Sequence, residues 1–360
     1  MLAILVALAS SLLITLVFTP FFIRFSIRKQ MGQFIRKDGP TSHETKRGTP
    51  TMGGVVIIVA TICGWLISAL LEMRLPRASA WIVAFLFVGL GLIGFLDDYI
   101  KISKQRSLGL NPRGKIIGQL AVGVIFACLA LSFPNTFGIT PAKTSISLFW
   151  GYEIDFLLAG VTVAIVCFIL WANFLITAWS NAVNLTDGLD GLATGVSAIV
   201  FAAYTFITLW ETYQSCLYPS GAGNFCYYVR DPRDLAIFCA ALVGSCVGFL
   251  WWNASPAQIF MGDTGSLALG GALAGVSIFS HTEVLALIIG GVFVAEVFSV
   301  VVQVSSFKLT GKRVFKMTPL HHHFELNQWK EVTIVIRFWI IASLCAGLGV
   351  GLFYGQWLLR

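Results

Sequence analysis

The chain has 360 residues, of which 24 are Lys or Arg and 17 are Asp or Glu, so only 11% are charged while 57% are hydrophobic. A soluble globular domain carries about 25% charge. The composition excludes a disordered chain, a coiled coil and an ordinary soluble enzyme. It leaves an integral membrane protein, in which every charge has a solvation cost to justify.

A spanning helix needs roughly 20 mostly apolar residues. Ten segments qualify, at about 2–23, 52–71, 80–97, 116–134, 156–177, 193–210, 235–252, 265–281, 284–306 and 334–357, and they make one polytopic domain over 1–360. Runs such as Val55-Val56-Ile57-Ile58-Val59-Ala60 do not alternate in polarity, which argues against a transmembrane β-barrel and leaves the all-α class. The first segment is not expected to be a cleaved signal peptide, because its positive charges (Arg24, Arg28, Lys29) follow it rather than precede it. By the positive-inside rule those charges hold its C-terminal end in the cytoplasm. Counting loops from there puts both termini outside, with 18 of the 24 basic residues on the inner face. The net charge of +7 therefore reads as orientation and as attraction for anionic partners, not as nucleic-acid binding. Cys216 and Cys226 share one outer loop, where an oxidising compartment would allow a disulfide.

The rare acids carry the most information. Asp97 and Asp98 close the third predicted span at its inner edge. Carboxylates at a helix C-terminus oppose the macrodipole, and adjacent like charges repel, so a purely structural terminus would sooner place Lys there. The segment from Asn181 to Gly191 reads as an inner loop with Asn184, Asp187 and Asp190 and no basic residue at all. An EF-hand fails there, because the glutamate that such a loop needs at its twelfth position is absent. Capping of the sixth span by Asp190 or Thr194 would explain one acid, not the group. The stretch Asn253 to Gly265 holds Phe260 and a single acid, Asp263, whose plain alternative is an N-cap on the eighth span. Glu296 is the one acid well inside a predicted span: a functional candidate by default, or a protonated interhelical hydrogen-bond partner. His321, His322 and His323 are adjacent and internal. Consecutive helical residues do not face one another, which argues against a three-histidine zinc site. An imidazole there can hydrogen-bond a diphosphate instead.

Hard oxygen ligands of this kind suit Mg²⁺, held by one or two carboxylates plus substrate phosphates. Basic residues for the phosphates come from other loops, among them Lys46, Arg47, Lys101, Arg113 and Lys115. Metal, carboxylates and scattered cations are the parts list for phosphoryl transfer. A second reading of another class is a secondary transporter with Glu296 as its coupling carboxylate.

At these residues the chain resembles the polyprenyl-phosphate N-acetylhexosamine-1-phosphate transferases. The resemblance covers essentially the whole chain: Gly39-Pro40 through Thr49-Pro50-Thr51-Met52-Gly53-Gly54, Asp97-Asp98, Asn184 to Gly191, Phe260 to Gly265 and Pro319 to Phe324. The unbroken histidine triplet favours the muramoyl-pentapeptide branch over the N-acetylglucosamine branch. The resemblance implies transfer of phospho-N-acetylmuramoyl-pentapeptide from its UDP-activated form to undecaprenyl phosphate, giving lipid I and UMP, at the bacterial inner membrane. It implies Mg²⁺ on Asp263 with Asp97 and Asp98 beside it, one of the pair deprotonating or positioning the lipid phosphate. Lys46, Thr51, Lys115, Asn184, Asp187, Asp190 and Asn253 would line the substrate pocket. Phe260 would stack on uracil, and His321, His322 and His323 would contact the diphosphate or sugar side. A homodimer fits the family.

Overall fold

The computed structural model describes residues 1–32, 48–106, 108–148, 152–217 and 226–358. Among them the chain is helical throughout, apart from one small hairpin. The order is α1 (Leu2–Arg28), α2 (Gly54–Leu71), α3 (Ala78–Ser103), α4 (Pro112–Ala130), then the antiparallel strands β1 (Ser145–Ser147) and β2 (Glu153–Asp155) and a 3-10 turn. There follow α5 (Val161–Thr186), α6 (Leu192–Tyr213), α7 (Pro232–Asn253), α8 (Gly262–Phe279), α9 (Glu283–Ile289), α10 (Gly291–Thr310), α11 (Leu320–Glu325) and α12 (Glu331–Leu358). Nine of these helices are long and apolar enough to cross a membrane: α1 to α7, α10 and α12. The protein is a multi-pass membrane protein.

Of the helices that fall short of that test, α9 and α11 are short, while α8 is the centre of the bundle. Every residue from Thr264 to Phe279 is buried. The helix can afford Gly and Ala because it meets no lipid, and small residues let its neighbours approach closely. A Cβ on Gly94 of α3 would overlap the backbone of Asp263 and Thr264, and one on Gly54 of α2 would overlap Gly265. α3 and α5 pack along α8, while α1 sits outside, against α7 and α2. Hydroxyls and amides tie helices together across the bundle, as in Thr61 Oγ1 to Ser245 Oγ (2.7 Å) and Gln119 Nε2 donating to Ser180 Oγ (3.0 Å).

The ninth expected span differs. The segment expected to be one helix over 284–306 is broken at Gly290 into α9 and α10. Glycine costs a helix interior roughly 1 kcal/mol relative to Ala, and two stand here in succession. α10 buries only Val292, Phe293, Glu296 and Ser299. The span expected to end near 177 instead runs unbroken to Thr186, because no helix breaker precedes Gly188. Asn184 therefore sits in the last turn of a helix, not in a loop.

Alternating helix direction sorts the connections to two ends of the bundle. One end carries the α3–α4, α5–α6 and α7–α8 connections and α11. The other carries the hairpin, the α9 start and the Cys216–Cys226 disulfide. The start of α1 lies at this second end, where Ser68 Oγ donates to Ala3 O. The end of α12 lies there too, where Phe353 stacks on Tyr227.

Candidate active site at one end of the bundle

Three carboxylates from two helices converge. Asp97 and Asp98 lie in α3, and Asp263 lies in the first turn of α8; one oxygen of each falls within 4.8 Å of the others. α3 continues to Ser103, so the Asp pair is not at a helix C-terminus and the macrodipole argument does not hold for it. That extension brings Lys101 back onto the pair at the i+4 and i+3 spacings that face one another. Lys101 Nζ lies 2.6 Å from Asp97, 3.4 Å from Asp98 and 3.1 Å from Asp263. Lys115, from the first turn of α4, reaches Asp263 at 2.7 Å. The acids that have no basic residue in their own loops thus receive two from elsewhere.

The acids have different work. Asp98 caps α8 from outside that helix: it accepts from Asp263 N (3.3 Å), Thr264 N (3.0 Å) and Thr264 Oγ1 (2.8 Å). The two amides are among those that a helix leaves without partners in its first turn, and a negative charge there complements the dipole. The capping role that the sequence offered to Asp263 belongs to Asp98. Asp263 is left facing Lys101, Lys115 and Asn184, whose Nδ2 donates to Asp263 Oδ1 (2.8 Å) and to Ser266 Oγ (2.8 Å). Asp97 is the least committed of the three, accepting from Leu110 N at 2.8 Å besides its pair with Lys101.

Behind this group lies the turn after α5. Burial, with the negative charges of Asp263 and Asp98 nearby, pushes Asp187 up to about 8, against the opposing hydrogen bond from the Gly262 amide. Its carboxyl therefore holds a proton more readily than a free carboxyl does. Asp190 holds the loop together: its Oδ2 accepts from Ala257 N (3.0 Å), and its amide donates to Glu331 Oε1 (3.0 Å). Neither Asp190 nor Thr194 caps α6, whose N-cap is Gly191. Asn253 is buried, with Oδ1 accepting from Thr194 Oγ1 (2.8 Å) and Nδ2 donating to Ile259 O (2.9 Å). Its visible role is to brace the α7–α8 connection. Phe260 is pinned through its backbone, N to Pro50 O (2.8 Å) and O to Gly53 N (2.9 Å), and Thr51 is buried beside Gly262. Lys46 lies outside the described residues.

The three histidines diverge. His321 is fully buried and pairs with Glu296 (3.1 Å). His322 pairs with Glu325 at 2.6 Å, and His323 accepts from Lys316 N at 3.2 Å. Glu296, a free coupling carboxylate on the transporter reading, has both oxygens occupied, since Oε2 accepts from Leu320 N at 2.6 Å. Of the residues at the centre, Thr264 and Ser266 were not singled out in the sequence, and Lys101 was one basic residue among several. Its spacing of three and four residues from the Asp pair was the available signal.

A hard-oxygen donor set of three carboxylates fits a divalent ion. Lys101 Nζ holds the space between them, and with its side chain 27% exposed it has room to swing out.

The profile of glycosyl transferase family 4 matches residues 80–281, and a signature described as phospho-N-acetylmuramoyl-pentapeptide-transferase signature 1 matches residues 46–58. The chain is 63% identical to the phospho-N-acetylmuramoyl-pentapeptide-transferase of Beutenbergia cavernae over 357 residues, 99% of each chain. It is 57% identical to that of Streptomyces griseus over 356 residues and 56% identical to that of Cutibacterium acnes over 355, with 98% of each chain covered in both cases. The chain belongs to glycosyl transferase family 4, on its phospho-N-acetylmuramoyl-pentapeptide-transferase branch. The family match spans α3 to the end of α8 and so contains all three clustered carboxylates, both lysines and Asn184.

Proposed function

We propose that the protein transfers phospho-N-acetylmuramoyl-pentapeptide from its UDP-activated form to undecaprenyl phosphate, giving lipid I and UMP. The observation that carries this reading is the convergence of Asp97, Asp98 and Asp263 with Lys101 and Lys115 at one end of a membrane-spanning bundle. A soluble anionic nucleotide must meet a lipid phosphate at the membrane edge, and the sharing of charge there is what phosphoryl transfer needs. Mg²⁺ held by Asp263, with Asp97 and Asp98 beside it, would neutralise the diphosphate. Lys115 and a displaced Lys101 would take phosphate oxygens. Asp97, with the fewest internal bonds, accepts the proton of the lipid phosphate, whose oxygen attacks the β-phosphorus as the bond to UMP breaks. Asp98 keeps α8 and its Asp263 in place. Asn184 orients Asp263, and protonated Asp187 donates a hydrogen bond to the nucleotide side. The positive-inside count, 18 of 24 basic residues, supports an orientation with this end on the cytoplasmic side of a bacterial inner membrane.

The test is release of UMP by purified protein given Mg²⁺, undecaprenyl phosphate and the UDP-muramoyl-pentapeptide. Release that stops on chelation and returns with Mg²⁺ is the expected result; release no greater than in a no-lipid control would sink the reading. Competition with UDP-N-acetylglucosamine separates the sibling activity.

A further inference from the structure

Asp263 is held from two sides. Lys115 of α4 donates to its Oδ2 (2.7 Å) and Asn184 of α5 to its Oδ1 (2.8 Å). One turn deeper in the bundle the same two helices meet again, at Gln119. Gln119 stands four residues after Lys115, and Ser180 and Asn181 stand four and three before Asn184, spacings that share a helix face. Gln119 Nε2 donates to Ser180 Oγ (3.0 Å), and its Oε1 accepts from Asn181 Nδ2 (3.4 Å). The helix that carries Asp263 presses on the same place, where a Cβ on Gly270 of α8 would overlap the backbone of Ser180.

Gln119 is fully buried, on a helix that otherwise buries only Gly123, Phe126, Ala127 and Ala130. A buried amide is costly unless its bonds are made. Yet its partners do not need it: Ser180 Oγ also donates to Ile176 O (2.6 Å), and Asn181 Nδ2 to Thr177 O (2.8 Å). An apolar side chain of the same size would pack there at no such cost. What the amide adds is a fixed register of α4 on α5. We propose that Gln119 is a positioning residue for phosphoryl transfer, locking α4 to α5 so that Lys115 and Asn184 stay on the two oxygens of Asp263. This rests on the transferase reading. Without the bridge α4 can shift on α5, and Lys115, one turn away, shifts with it; a displacement of about 1 Å can cost about 10²-fold in rate.

Gln119→Met keeps the volume and removes the amide, and Ser180→Ala removes the other half of the bridge. Each should lower kcat by about tenfold or more with the melting temperature little changed, and the double variant should be no slower than the slower single one. Thr61→Val breaks a comparable buried bridge, from Thr61 of α2 to Ser245 of α7, and should leave kcat unchanged. Lys115 in the full-length protein should also be acylated by an amine-reactive ester faster in Gln119→Met than in wild type, read by mass spectrometry of its peptide, with Lys143 at the hairpin end labelled at the wild-type rate. Normal kcat in Gln119→Met, losses that multiply in the double variant, an equal loss in Thr61→Val, or unchanged labelling of Lys115 each overturn the proposal. Labelling needs no turnover, so failure of the transferase reading and failure of the bridge are told apart.

Discussion

The two ends of the bundle handle charge in opposite ways. At the hairpin end most acids have their own cation or amide; the exception is Glu211, buried with neither oxygen hydrogen-bonded. Glu72 takes Arg233 at 2.6 Å, Asp231 takes Arg230 at 2.7 Å together with Ser79 Oγ at 2.8 Å, and Asp234 accepts from Arg77 N at 3.1 Å. Those groups are settled within the fold and have nothing left to offer. At the other end three carboxylates share two lysines, and one ammonium touches all three. Charge that is shared and short of cations is poised to take an incoming one, whereas charge matched pairwise only holds helices together.

The sharpest way to break this comparison is to neutralise one acid at each end. Asp263→Asn should lower UMP release by about 10³-fold or more, the scale seen when a preorganised electrostatic group is lost, with the melting temperature little changed. A well-folded variant of near-normal rate would refute its role. Asp231→Ala should do the reverse. Removing a buried, hydrogen-bonded partner of Arg230 costs about 3 kcal/mol or more, read as a lower melting temperature. The turnover of each molecule that stays folded should be normal, and a selective loss of rate would mean that the ends are not independent. Reducing the Cys216–Cys226 bond, or Cys216→Ser with Cys226→Ser, should lower stability by at most about 2–3 kcal/mol from loop closure and leave UMP release intact.

The smallest effect concerns pH. Asp187 binds its proton more tightly in the folded protein than the ordinary carboxyl value of 3.8, up to about 8. Folding therefore favours the protonated form, and its contribution to stability falls as pH rises from about 4 to 8. Asp187→Asn, which stays neutral, should melt higher than wild type at pH 9 and the same at pH 4. Equal melting temperatures at pH 9 would show that Asp187 ionises freely.

Much of this was legible in the chain. Long apolar runs gave the spanning helices because hydropathy depends on composition alone. Asp97 and Asp98 stood out as adjacent like charges at an expected helix end, and Asp263 as an acid with no basic residue in its own segment. What stayed hidden was tertiary. No one-dimensional pattern says that Asp98 caps a helix 165 residues away, or that Glu296 and His321 meet. The central burial of α8 was hidden for a related reason: Asp263, Thr264, its serines and its glycines lower its hydropathy although it is the most enclosed helix of the bundle. Helix ends were misplaced where a polar residue was taken for a boundary, as at Asn184 and Asp98, since polar side chains inside the bundle do not interrupt a helix that its neighbours support. The break at Gly290 was visible only as a pair of glycines in an apolar run.

Asp98 carries a consequence for anything that would inhibit this protein. Three of the bonds that begin the central helix end on its carboxylate. A small molecule that recognises that carboxylate would rest on a residue with two duties. Escape by substitution would have to preserve the start of α8 as well as the chemistry, and few replacements for an aspartate offer the same reach, charge and pair of acceptors.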